Sequence, residues 1–227
     1  MSLSFQNPAT DLQIKKYLSP NYGREILDYL TYFLTVLLCV SMVYMGIRYF
    51  LVDTIAISGY SMFPNYNNYL DPNKQDTIQI DLLSPRFSDY RRGEVVVLRA
   101  PITCDSNQSL IIKRIIGIPG DKIIFENGKV LVQGVETDNS VVMLDESSYL
   151  SREIATFKNV VSLTDRFEEP VLGEGEYFVM GDNRGKSKDS RYCGKIAKDI
   201  ILGRELFRLQ PSEKRGFFNV PKYNISN

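Results

Sequence analysis

From Leu30 to Ile47 the chain reads LTYFLTVLLCVSMVYMGI, eighteen residues without a charge, and the apolar character extends from Ile26 to Val52 with only Asp28 and Arg48 charged. No other feature restricts the fold as much, because a helix of this length can cross the roughly 30 Å hydrocarbon core of a bilayer. A cleaved secretory signal has a shorter apolar core and ends in small residues, whereas this run ends in YFLVD. The expectation is an uncleaved anchor over 26–52, a cytoplasmic segment over 1–25 and an extracytoplasmic domain over 53–227. A buried core helix is the plain alternative, and apolarity on every face argues against it. Lys15, Lys16 and Arg24 precede the run, and beyond Arg48 no Lys or Arg occurs until Lys74, which places the N-terminus in the cytoplasm of a cell membrane crossed once.

Composition narrows the chemistry. The 27 Lys and Arg balance the 27 Asp and Glu, so no global positive field favours nucleic acid, and no nucleic-acid partner is expected. The 227 residues include no histidine. That removes Ser-His-Asp triads, Cys-His pairs and H-E-x-x-H zinc sites, and leaves Lys, Asp, Glu or Tyr as the general base. No metal or cofactor is expected. Cys39 lies inside the apolar run, which leaves Cys104 and Cys193 as the available disulfide partners; whether they meet is open at this level.

Beyond the anchor the chain reads mostly as strands. Ile55–Ile57, Asp76–Asp81, Glu94–Ala100, Leu110–Ile118, Asp121–Gly134 and Gly175–Asp182 are short runs rich in β-branched residues between turn residues. Asn127-Gly128 marks a hairpin, and Pro119-Gly120 suits the middle of a type II turn. The expected class is mainly β, an antiparallel sheet after one transmembrane helix. Residues 138–165 lack periodicity and read as a loop-rich insertion, and the 65–75 stretch reads as a long loop.

Three segments carry candidate chemistry. Ser61 sits in Ile57-Ser58-Gly59-Tyr60-Ser61-Met62-Phe63-Pro64, where small residues let a substrate backbone approach a hydroxyl; a plain turn is the bland reading. Lys113 lies between isoleucines with Arg114 beside it, and alternation sends the two side chains to opposite faces. If Lys113 faces the apolar layer, burial lowers its pKa from about 10.4 toward the range of a useful base. The competing reading is an edge strand with both bases at its rims. Gly181 to Arg191 is a polar loop after an apolar strand; it misses the phosphate-loop spacing by one residue, and it suits building and orienting a site, with Ser187 able to hold a lysine amine and Asp189 able to pair with Arg191. A solvated charged turn is its bland reading.

Taken in order, SGYSMFP (58–64), DTIQI (76–80), RGEVVVL (92–98), IKRIIGIPGDKI (112–123), NGKVLVQG (127–134) and EGEYFVMGDNRGKSKDSRYCGKI (174–196) resemble the bacterial type I signal peptidases, membrane-anchored serine proteases with a Ser-Lys dyad. The resemblance runs from the anchor to about Arg204. It implies Ser61 as nucleophile and Lys113 as general base, with Ser187 orienting the lysine. Asp189 with Arg191 would shape the loop, and Asp182, Asn183 and Arg184 would support it. Ile57, Met62 and Ile112 would line the pocket for a small residue before the cleavage point. The Ser61 N–H is one oxyanion donor; some relatives carry a serine two positions before the nucleophile, where this chain has Gly59 with Ser58 before it, so the second donor is open. The implied partners are preproteins with signal peptides and membrane lipid. Rival readings are a specialised processing peptidase of the same family, a self-cleaving-repressor-like Ser-Lys protease, disfavoured by the anchor, and an inactive membrane-anchored binding or assembly relative.

Overall fold

The computed structural model describes residues 20–67, 74–150, 156, 166–210 and 212–223. They divide after Tyr49 into two units. The first is a helix, α1 (Pro20–Phe50), which opens on a proline whose missing N–H has no partner to lose in a first turn. Its large apolar residues, among them Leu30, Phe33, Leu37 and Val43, are exposed, and Tyr22–Arg48 is long and apolar enough to cross a membrane. The helix begins six residues earlier and ends two residues earlier than the expected span, because the chain enters a strand at Val52.

The second unit is built on two antiparallel sheets. The larger contains β1 (Val52–Ala56), β2 (Thr77–Asp81), β3 (Val95–Arg99), β4 (Leu110–Gly117), β9 (Glu176–Met180), β10 (Ile196–Ala197), β11 (Ile201–Gln210) and β12 (Gly216–Phe217). Its order is β1-β2-β11-β3-β4-β9-β10, with β12 added to β11. The smaller contains β5 (Lys122–Glu126), β6 (Lys129–Gln133), β7 (Val141–Met143) and β8 (Phe167–Glu168) in the order β7-β6-β5-β8. Asn127 and Gly128 both have positive φ, 50° and 70°, as the tight β5–β6 turn requires.

Alternation along β3 divides the core. Val95 and Val97 pack with Ile57, Met62, Tyr66 and Ile112, while Val96 and Leu98 pack with Ile115, Tyr177 and Val179 on the opposite face. A third cluster, including Ile116, Phe125, Val132 and Phe178, joins the small sheet to the large one.

All six strand runs read from the sequence form strands. The largest omission is β11, the longest strand, which lies between β2 and β3. Arg204, Glu205 and Arg208 interrupt its apolar pattern, yet each is paired: Arg204 with Glu94 at 2.9 Å, Glu205 with the Tyr66 hydroxyl, Arg208 with Asp76 at 3.7 Å. The 138–165 stretch is not all loop, since Val141–Met143 pairs with β6. Residues 151–155 and 157–165 of that stretch, and 68–73 of the 65–75 loop, lie outside the described residues.

Candidate active site

Strand β4 runs inside the large sheet between β3 and β9, which excludes the edge-strand reading. Lys113 pairs across from Val96 and Arg114 from Val95, so consecutive bases point to opposite faces. Both are buried, at 2% and 3% exposure. Arg114 is saturated: Nε and Nη2 donate to the two oxygens of Asp182 at 2.8 and 2.7 Å, Nη1 donates to the Gly93 carbonyl at 2.9 Å, and the guanidinium stacks 4.1 Å over the Tyr149 ring. A cavity of about 440 Å³, lined by Asn65, Tyr66, Arg114, Tyr149 and Arg208, lies on this side of the strand.

Lys113 meets a different environment. Its Nζ lies 2.8 Å from Ser61 Oγ and donates to the Ile112 carbonyl at 2.9 Å. Burial pushes the amine down to about 8, against the opposing pull of Asp189 and Asp182 and with a small push in the same direction from Arg191. At that value roughly a tenth of the amine is neutral at pH 7 and about half at pH 8, and the lone pair of the neutral form can accept a proton from the neighbouring hydroxyl.

Ser61 is held from two sides. Turns over 60–66 close through the Phe63 N–H donating to the Tyr60 carbonyl at 3.2 Å and the Tyr66 N–H to the Met62 carbonyl at 3.0 Å. From the other side, the Asn183 N–H donates to the Ser61 carbonyl at 3.0 Å and the Asn183 side-chain amide to the Tyr60 carbonyl at 2.9 Å. A side chain at Gly181 would collide with the Ser61 carbonyl and with Ser187, so glycine lets the loop pack against the serine.

The remaining predicted site residues fall around this pair. Asp182 also accepts from the Asn65 amide at 2.8 Å, while Arg184 bonds to Glu146 and Thr156 and donates to the Gly181 carbonyl at 3.1 Å. Asp189 accepts the Gly181 N–H at 2.9 Å and pairs with Arg191 at 2.8 Å. Ser187 differs from expectation: its buried hydroxyl has no hydrogen-bond partner among the described residues, and the lysine amine bonds to Ser61 and Ile112 instead. Ser58 and Gly59 are exposed, Gly59 with φ of 82°. Ile57, Met62 and Ile112 are buried in one cluster, which places them together beside Ser61 as packed core. Cys104 and Cys193 form a disulfide, with Cα atoms 5.2 Å apart, resolving the pairing that the spacing left open.

The family described as signal peptidase, peptidase S26, matches residues 28–210, a stretch that contains Ser61, Lys113 and the whole 181–191 loop. The chain belongs to this family. It is a serine endopeptidase of the signal-peptidase type, and its relatives together with the one helix among the described residues that is long and apolar enough to cross a membrane fit a single-pass membrane protein. Signal peptidase IB of Staphylococcus aureus (strain MRSA252) is 29% identical over 181 residues, covering 78% of this chain and 84% of that one. A probable signal peptidase I-2 of Synechocystis is 34% identical over 173 residues, covering 75% and 69%. A solved signal peptidase I from Enterococcus faecalis shares 24% identity over 52% of this chain and 97% of its own, with a TM-score of 0.37.

Several residues that build the peptidase's site carried no sequence signal. Glu146 and Tyr149, from the stretch read as a loop, pair with Arg184 and stack on Arg114. Asn67, with φ of 52°, donates to the carbonyls of Ile57 and Gly59 at 2.8 and 2.9 Å and accepts the Asp76 N–H at 2.8 Å, closing the loop that bears Ser61. An asparagine tolerates this left-handed backbone and offers both a donor and an acceptor. A local asparagine repeat in YNNY is the only hint available, and it reads as any polar loop does.

Proposed function

We propose that Ser61 is the nucleophile and Lys113 the general base with which this signal peptidase removes signal peptides from preproteins at the extracytoplasmic face of the membrane. The observation that carries the reading is the 2.8 Å approach of the buried Lys113 Nζ to the Oγ of the half-buried Ser61. Neutral Lys113 accepts the hydroxyl proton as Ser61 Oγ bonds to the scissile carbonyl carbon. The carbonyl π pair moves onto oxygen, where the Ser61 N–H stabilises it and the exposed Ser58 hydroxyl supplies a second donor. Collapse of this intermediate breaks the C–N bond, and the lysine ammonium gives its proton to the leaving amine. Water then attacks the acyl-enzyme with the same lysine as base, which returns both groups to their starting state.

Ser187 acts as an orienting hydroxyl when substrate is bound, and Ile57, Met62 and Ile112 form the floor for the small side chain before the cleavage point. The positive residues ahead of the helix and the disulfide in the β unit both support an extracytoplasmic site, since disulfides persist in oxidising compartments. An anchor helix ending at Phe50, about eleven residues before Ser61, confines enzyme and membrane-inserted signal peptide to one surface, which raises their effective concentration.

The test is purified full-length protein in detergent with a preprotein carrying an Ala-x-Ala site. Wild type should cleave after that site and Ser61→Ala should not; equal processing by the two would overturn the assignment. An inactive binding relative would give no processing in either.

A further inference from the structure

The Cys104–Cys193 bond joins two segments that each carry part of the site. Cys104 lies in the β3–β4 connection, which is closed by the Ala100 N–H donating to the Ser109 carbonyl at 2.9 Å, and the outgoing strand reaches Lys113 four residues later. Cys193 ends a short helix, α2 (Ser190–Cys193), whose N-cap is Asp189. That same carboxylate takes the Gly181 N–H and holds Arg191, and Ser190 Oγ accepts the Val179 N–H at 2.9 Å. A four-residue helix has little cohesion of its own. Apart from its own backbone bonds, the far end of α2 is secured by a long hydrogen bond from Thr103 Oγ1 to the Cys193 carbonyl, at 3.4 Å, and by the disulfide.

We infer that the Cys104–Cys193 disulfide is a positioning brace for the Ser61–Lys113 pair, so that the oxidised chain is the fully competent one. This rests on the dyad reading above. The groups acting on the Lys113 amine are Ser61, hydrogen-bonded to it from the loop after β1, and, through their charge, Asp182, Asp189 and Arg191 from the segment between β9 and the end of α2. Three of these four ride on the stretch that terminates at Cys193. Asp182 and Asn183 stay tied to Arg114 and Ser61 at one end of the stretch, but without the cross-link the α2 end loses its covalent tie to the β3–β4 connection, water reaches the amine, and the burial that lowers the lysine's hold on its proton is weakened. The amine then holds its proton more firmly, and a smaller fraction is available as base at a given pH. Reduction by a dithiol delivers two electrons and two protons to the bond, leaving two thiols and a cyclic disulfide on the reagent. Cys193 is half-buried and Cys104 buried, so attack at Cys193 is the expected route.

The experiment compares wild type, Cys104→Ser, Cys193→Ser and the double variant as full-length protein in detergent, each before and after dithiol. It reads the pH dependence of kcat/KM on a preprotein and the pH dependence of Lys113 labelling by an amine reagent, followed by mass spectrometry. All three variants and the reduced wild type should share one phenotype: a rising limb displaced to higher pH, with about tenfold lower activity on that limb for each pH unit of displacement. Dithiol should change nothing further in the double variant. Reduction of folded wild type gives the same readout should a variant fail to fold. An unmoved limb and labelling midpoint, with or without a uniform fall in rate, overturns the brace. A labelling midpoint that moves in a protein whose activity survives Lys113→Arg keeps the brace and overturns the dyad instead.

Discussion

Lys113 and Arg114 are consecutive residues of one strand, equally buried, and the two faces of β4 treat their charge in opposite ways. Arginine does not give up its proton, so its face supplies a carboxylate gripped at two points, a backbone carbonyl and an aromatic ring. Lysine can, so its face supplies a hydroxyl and a carbonyl, and burial lowers the amine's hold on its proton. A buried cation is tolerated either by saturating it or by letting it become neutral, and only the second yields a base. In the proposed mechanism the Arg114 face is scaffold and the Lys113 face is chemistry, coupled through Asp182: it binds Arg114 and sits in the loop packed on Ser61.

Exchanging the two solutions should have the largest effect. Lys113→Arg places a permanent cation where a base is needed, and it should lower kcat/KM on a preprotein by on the order of 10⁴-fold or more, as should Ser61→Ala. Activity within tenfold of wild type in the arginine variant would erase the distinction between the faces. Opposite the dyad, Arg114→Met leaves Asp182 buried without its cation and should cost about 3–5 kcal/mol in denaturant unfolding of the β unit. An unchanged midpoint would mean that the pair does not hold the loop.

The sharper contrast is in stability. Lys113 binds its proton less readily folded, at about 8, than unfolded, at the ordinary 10.5. The unfolded chain therefore carries the extra proton between those values, stability rises with pH across that window, and below pH 8 the full cost of burial is present. Lys113→Met should thus stabilise the inactive protein at pH 7 by ~1–3 kcal/mol, with the gain fading as pH rises from about 8 to 10.5. Methionine would stabilise on one face and destabilise on the other; a Tm that falls in both variants would contradict this. Smallest is Asn183→Ala, which removes the amide bond to the Tyr60 carbonyl but keeps the backbone bond to Ser61. A loss of about fivefold in kcat, with KM little changed, corresponds to one hydrogen bond of net ~1 kcal/mol.

The Lys113 face was legible in the sequence because its oddities are local: a lysine between isoleucines, a serine among small residues, a dense polar loop after an apolar strand. Residue types alone brought those segments into question, and family resemblance gave them roles. The Arg114 face was not legible, since its partners are far along the chain. Asp182 is 68 positions from Arg114, and Tyr149 and Glu146 lie in a stretch without periodicity. Strand β11 was hidden for the same reason: its charged residues are bonded or paired to Glu94, Tyr66 and Asp76, far away in the sequence, so the pattern that marks a buried strand is broken in the sequence and restored only by tertiary pairing. Cys104 and Cys193, 89 positions apart, were the available disulfide partners, but whether they meet was open until the fold brought them together.

The most direct test of a neutral lysine base is the pH dependence of kcat/KM for cleavage of a preprotein by the full-length peptidase, from pH 6 to pH 10. A Lys113 base predicts activity rising about tenfold per pH unit at low pH and levelling above about pH 8, as the buried amine loses its proton. A flat profile across that range, or one that falls as pH rises through 8, would contradict it.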